Sequence, residues 1–248
     1  MDPARKALLV HARLAPVYGA PLPYFQSLDP LEELVSSFLN HRTRNRDAKR
    51  AFHALRAAFP TWEAVRDAPV EAVEAAIAGV TYADMKAPRL QEILRRIGEE
   101  RGALSLDFLG AMDAAEARAW LERLPGVGPK TSAATLSFST LRGRALPVDS
   151  HHHRVAQRLG LVGPRVAVGP SHAILEGYVP DDWDAQAMYD HHQLFMRHGQ
   201  KVCHWRAPDC EACPLLDVCP EGARRVPWLA AEAQADPAED DRQGRLDL

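Results

Sequence analysis

Leu31, Leu34, Val35, Phe38 and Leu39 fall on the i, i+3, i+4, i+7, i+8 spacing of one helix face, with Glu32, Glu33, Ser36 and Ser37 on the other side. Leu90, Ile93, Leu94 and Ile97 repeat the stripe. Further helical stretches are predicted over Arg46 to Ala57, Val70 to Ile77, Ala114 to Leu121, Pro129 to Leu141, Ser150 to Leu159 and Trp183 to Arg197. No stretch alternates with the period of two that marks a half-buried strand, so the pattern predicts an all-α chain with short loops. Beyond about Arg225 the apolar anchors thin to Trp228 and Leu229 among Ala, Asp, Glu and Gln, which predicts a disordered acidic tail over 223–248.

Composition changes this picture little. A length of 248 residues, 46% hydrophobic and 25% charged, suits one large or two small soluble domains. The opening MDPARKALLVHARL carries charges throughout and has no long apolar run, so neither a signal peptide nor a membrane span is predicted and a cytoplasmic location is expected. The net charge of -3 disguises an uneven distribution. From Glu221 onward there are seven acids and four bases, which leaves 26 of each sign in residues 1–220. A neutral body binds a polyanion only through local clusters. HRTRNRDAKR at 41–50 is one such cluster, and Arg142, Arg144, Arg154, Arg158 and Arg165 form a looser second; taken alone, such runs are more often solvated faces.

All four cysteines, Cys203, Cys210, Cys213 and Cys219, lie within seventeen residues and are spaced C-x6-C-x2-C-x5-C. Thiols bunched in one short segment staple no distant elements together, so a bound metal is favoured over disulfides. Only Cys210 and Cys213 form the short knuckle usual in zinc sites, and the wider loops suit a larger inorganic body. Spacing alone leaves zinc and an iron-sulfur cluster both open.

Residues 124–132 read LPGVGPKTS. A phosphate-binding P-loop is excluded, because its two invariant glycine places are held by Pro129 and Leu124. Gly126 and Gly128 permit a tight turn with bare backbone amides, and Pro129 suits a first helical position, so a helix start able to hold a phosphate is predicted. A plain turn between helices is the alternative. Lys130 then stands second in that helix. The chain has five lysines against 25 arginines, and only a lysine can lose its proton to become a nucleophile. At pH 7 an ordinary amine is neutral in roughly one molecule in 2,500, a handicap of about 4.6 kcal/mol that a site must reduce. Asp149, in LPVDSHHHRV, is the candidate carboxylate to accept that proton, with a helix N-cap as its alternative role.

The segment HHQLFMRHGQKVCHWRAPDCEACPLLDVC, together with LPGVGPKT and VDSHHHRV in that order, resembles the endonuclease III family of DNA glycosylases, and the likeness runs from about Asp29 through Cys219. The resemblance implies two helical domains flanking a DNA-binding cleft. These would be an N-terminal helix over 1–29 packing with the cluster domain, a six-helix barrel over 30–142 and a cluster domain over 143–222. It implies a 4Fe-4S cluster on Cys203, Cys210, Cys213 and Cys219, and DNA contacts from Gly126, Val127, Gly128, Thr131 and His151. It further implies that Lys130 attacks C1′ of an extruded nucleotide with help from Asp149, releasing the base, forming a Schiff base and cutting the strand by β-elimination. Oxidised pyrimidines in duplex DNA are the implied substrate, and a monomer is expected. An adenine- or other mismatch-specific monofunctional glycosylase, or a non-catalytic redox-sensing DNA binder, remain as alternatives. Two departures stand out. Arg42 occupies the place of the family's gap-filling glutamine, and GVTYADMKA replaces the usual glycine and aromatic turn, altering the lesion-facing loop around Tyr82. His152 stands where the family often has an aliphatic residue, and His191, His192, His198 and His204 are expected as packing or surface residues.

Overall fold

The computed structural model describes residues 1–228. Among the described residues there is no strand, and the regular structure is helical: α1 (Pro3–Tyr18), α2 (Pro30–Leu39), α3 (Asn45–Ala58), α4 (Trp62–Asp67), α5 (Val70–Ala76), α6 (Ala83–Arg101), α7 (Ala114–Glu122), α8 (Pro129–Phe138), α9 (Ser150–Arg158), α10 (Val168–Glu176), α11 (Ala185–Lys201) and α12 (Pro220–Arg225). The chain divides into two compact units. A central unit holds Leu22–Pro147 and Asp182–Tyr189; a cysteine unit holds Met1–Pro21, Val148–Asp181 and the described residues from Asp190 on.

In the central unit α2 starts with a reciprocal cap. Asp29 accepts the Glu32 amide at 2.8 Å and the Glu32 carboxylate accepts the Asp29 amide, with Pro30 at the first helical position. The predicted stripe is buried: Leu31, Leu34, Val35, Phe38 and Leu39 join Leu90, Ile93, Leu94 and Ile97 of α6 in one core with Leu55, Val65, Ile77, Leu121 and Leu136. The polar side of α2 departs from the periodicity. Glu33 and Ser37, expected to face solvent, are buried. The cause is α8, which packs against α2 and is itself enclosed from Thr131 to Phe138. No hydrophobic stripe announces α8, because its buried residues are mostly small. Thr131, Ser132, Ala133, Ala134, Thr135 and Ser137 let neighbouring helices approach, and Thr135 returns its hydroxyl to the Thr131 carbonyl at 2.9 Å. This helix stops at Phe138 rather than Leu141. The Thr140 amide goes to the Leu28 carbonyl, the Gly143 amide goes to the Leu136 carbonyl, and Arg142 turns left-handed at φ 48.

The cysteine unit begins with α1, whose Ala7, Val10 and Leu14 are buried and which ends on Gly19 at φ 77. Histidines fill much of its interior. His152 and His191 both pack on Phe195, with ring centroids 4.5 and 4.7 Å apart, and His172 accepts the Val148 amide through Nε2 at 3.0 Å. His191, His192 and His198 are buried as packing residues and His204 is exposed. The tail expected from 223 opens inside α12, just beyond which Val226 packs on Leu216; its residues 229–248 lie outside the described residues.

Candidate functional site

In the central unit the turn between α7 and α8 is built on one obligatory glycine. Gly126 lies at φ 80, and a Cβ there would come within 3.1 Å of the Phe38 ring. Gly128 is different. Its backbone is extended at φ -116, and a Cβ would meet nothing within 4 Å. The amides are fewer than the sequence promised. Val127 donates to Leu124 at 3.1 Å, and Thr131 and Ser132 donate to the Gly128 carbonyl at 2.9 and 3.0 Å, which leaves Gly126 and Gly128 as the turn amides for an anion. Val127 and Thr131, expected at a DNA contact, turn their side chains inward. Val127 belongs to the core, and the fully buried Thr131 hydroxyl lies 2.7 Å from His41 Nε2.

Lys130 is partly buried in the first turn of α8, at the positive end of the helix dipole. Two groups of its own unit feel its charge. Burial first, then Lys130 and Lys86, push the His41 imidazole down to about 4, so that ring is neutral. Glu33 lies on the other side of the balance. Its carboxylate accepts from the Ser37 hydroxyl at 2.8 Å and the Gln26 amide at 2.5 Å, yet burial outweighs these bonds and the charges of Lys130 and Arg142 and raises it to about 7. The periodicity hid Glu33, because it reads as a solvent-facing position.

Lys86 was equally invisible to the sequence. Nearly buried at the start of α6, it donates to the carbonyls of Leu39 and His41 at 2.7 and 2.8 Å and to the Thr43 hydroxyl at 3.1 Å, capping the end of α2. Burial lowers its amine to about 8. The turn it fixes carries Arg42, exposed and left-handed at φ 52.

Asp149 and His151 belong to the cysteine unit. Asp149 is the N-cap of α9 and accepts the His152 amide at 2.7 Å, so the capping role open to it from sequence is filled. Its carboxylate remains partly exposed. His151 places Nδ1 3.1 Å from the Arg154 guanidinium, which also donates to the carbonyls of Gly199 and Cys203 at 2.7 and 3.0 Å.

Cys203, Cys210, Cys213 and Cys219 line one open pocket together with Leu159 and Leu215. Among the described residues no three His, Cys, Asp or Glu side chains gather as a site for a single metal ion. The four thiols instead border a shared space. Arg158 pins this segment, donating to Cys203 Sγ at 3.1 Å and to the carbonyls of His204 and Trp205 at 2.7 and 2.8 Å. Cys219 caps α12 by accepting the Gly222 amide at 3.3 Å, and Cys213 Sγ lies 3.6 Å from His198 Nε2. Burial, reinforced by the other cysteines, drives the Cys213 thiol up to about 12 and raises Cys210 and Cys219 as well. Deprotonating these three thiols side by side requires a compensating positive body within the pocket. The donor set therefore fits a cationic iron-sulfur group in its chemistry, four thiols lining one pocket.

Comparisons with known proteins agree on the family. Residues 35–179 match the profile described as HhH-GPD superfamily base excision DNA repair protein. A candidate DNA glycosylase of Arabidopsis thaliana is 34% identical over 173 residues, covering 70% of this chain; the chain spans 57% of that protein's length. Endonuclease III of Thermotoga maritima is 29% identical over 197 residues, 79% of this chain and 85% of the relative. Among solved structures, a non-covalent endonuclease III-DNA complex superposes with a TM-score of 0.77 at 22% identity, covering 92% of this chain and 100% of that one. A thermostable thymine-DNA glycosylase superposes with a TM-score of 0.72 at 19% identity, covering 89% and 98%.

Proposed function

Because the chain belongs to the HhH-GPD superfamily of base excision DNA repair proteins, we propose that it is a DNA glycosylase with abasic-site lyase activity. It acts on a damaged base, an oxidised pyrimidine, in duplex DNA. The observation that carries this reading is Lys130 itself, an amine in the first turn of a helix whose preceding turn offers two amides to a phosphate. DNA held there is fixed by its backbone, without sequence preference. Extruding the nucleotide costs a few kcal/mol, and less where damage has weakened stacking.

The neutral Lys130 amine attacks C1′, the base departs with the glycosidic electron pair, and Asp149 assists the proton transfers. Loss of a proton from nitrogen and opening of the sugar give a Schiff base, from which β-elimination cuts the strand on the 3′ side. Arg42, in place of a neutral amide, offers a guanidinium able to stack in the vacated space. Cys203, Cys210, Cys213 and Cys219 would hold a 4Fe-4S cluster, which would tie together the segment between α11 and α12. Arg154 and Arg158 orient that loop through its carbonyls.

Borohydride trapping tests the reading. Covalent capture of abasic-site duplex by the full chain, lost in Lys130→Ala, is expected. Capture that persists in that variant transfers the chemistry to another amine. The likeness to a thymine-DNA glycosylase favours one second reading, a monofunctional mismatch glycosylase in which Lys130 serves only as a phosphate contact. Base release from a mismatched duplex without any trapped product would establish it.

A further inference from the structure

Glu33 is a carboxyl group that folding has made costly. It is 2% exposed, on a helix whose other polar residue of that face, Ser37, is 4% exposed. The charged and titratable groups acting on it are Lys130 from α8 and Arg142 from the turn beyond it, while Gln26 and Ser37 supply its hydrogen bonds. His41, which also feels Lys130, is neutral and bonded to Thr131. Burial prevails over every neighbour, and the group takes up and gives back a proton near neutral pH. Both neighbours tolerate either state, since a hydroxyl can accept as well as donate and an amide can present its oxygen in place of its nitrogen.

We propose that Glu33 is the proton acceptor for the Lys130 amine within the central unit. The step rests on the reading of Lys130 as the nucleophile. An N–H bond of the ammonium breaks and an O–H bond forms on Glu33, with water relaying the proton, since the carboxylate's own hydrogen bonds go to Gln26 and Ser37. A charged pair becomes a neutral amine and a neutral acid. Excluding water favours that exchange, because a neutral pair loses less on desolvation than an ion pair. When the amine is later released from the DNA, the same acid returns the proton.

Three roles for Glu33 give three different results in borohydride trapping followed from about pH 6 to about pH 9.5, across the range between carboxyl and lysine titration. As proton acceptor, its replacement in Glu33→Gln slows trapping roughly a hundredfold at neutral pH, with recovery as the pH approaches the range where a lysine deprotonates unaided. As a mere neighbouring charge, its removal eases loss of the ammonium proton, and Glu33→Gln traps faster than the wild type. As a purely structural group, its loss lowers the rate equally at all pH values, in step with the melting temperature. Either of the last two outcomes overturns the proposal.

A second measurement needs no activity. The Glu33 carboxyl is followed by carbon-13 NMR in the wild type and in Lys130→Met. Its titration midpoint rises in the variant if the two groups share a proton equilibrium, and an unmoved midpoint overturns the proposal. Should the midpoint shift while the wild type traps no DNA, the lyase reading has failed and the proton pair stands. Should the wild type trap while the midpoint stays, the lyase reading stands without Glu33.

Discussion

The hydroxyl of Thr43 accepts the backbone amide of Thr81 at 3.1 Å, tying the turn after α2 to the turn before α6. A left-handed, exposed residue stands in each turn, Arg42 at φ 52 and Tyr82 at φ 61. Such backbone costs a non-glycine residue about 1–2 kcal/mol, and here it is held by Thr43 and by the three hydrogen bonds of Lys86. A strained turn that points an arginine and a tyrosine at solvent suits insertion between bases. Arg42→Ala and Tyr82→Ala are expected to leave the melting temperature nearly unchanged and to weaken binding to an abasic-site duplex by roughly fivefold or more, the scale of one stacked base. Fluorescence anisotropy measures this, and wild-type affinity in both variants removes these turns from the DNA contact.

Gly126 and Gly128 separate stability from binding. Gly126→Ala adds a methyl group at φ 80 and 3.1 Å from the Phe38 ring, so a loss of about 1–3 kcal/mol in urea unfolding is expected. Gly128→Ala adds a methyl group where nothing lies within 4 Å and the backbone is extended. Its stability should match the wild type, while phosphate approach to the turn amides is obstructed and DNA affinity falls. Equal affinity in Gly128→Ala and wild type would show that the phosphate does not bind at this turn.

The sequence revealed what depends on local pattern and motif. The α2 stripe, the N-capping Asp149 and the grouping of four cysteines were legible because period, cap chemistry and spacing each leave a one-dimensional trace. Glu33 was read to the wrong side, since the helix that covers it, α8, has small polar residues and no apolar stripe to announce its burial. Lys86 was unreadable for a related reason. Its role is to satisfy carbonyls more than forty residues earlier in the chain, and only tertiary structure brings them together. Thr131 is a motif residue whose family context suggests DNA, and its hydroxyl, bonded to His41, is a tertiary contact that the motif did not announce.

The cysteine cavity makes an analytical prediction. Purified full chain should be brown and contain iron and acid-labile sulfide in equal amounts. Stoichiometric zinc with no visible absorption would overturn the assignment. Arg158→Ala removes donors to Cys203 Sγ, His204 O and Trp205 O together, so iron should pass to an external chelator faster than from the wild type. An unchanged release rate would mean the guanidinium does not hold the loop closed.

Glu33 also fixes how stability varies with pH. Its carboxyl titrates at about 7 when folded against an ordinary 4.5, so between those values the folded protein binds more protons than the unfolded chain. Stability from this group is therefore fully present below about pH 4.5 and is lost as the pH rises to about 7, by up to roughly 3 kcal/mol. Glu33→Gln keeps the side chain's shape and cannot ionise. Urea unfolding should find it more stable than the wild type above neutral pH, with the difference shrinking toward zero near pH 5. A difference that stays constant across this range would mean that Glu33 does not change its protonation state on folding. A falling difference would mean that the fold gives up stability at neutral pH to keep an ionisable acid beside Lys130. A helix-packing position gains nothing from such an acid, and a proton-transfer site requires it.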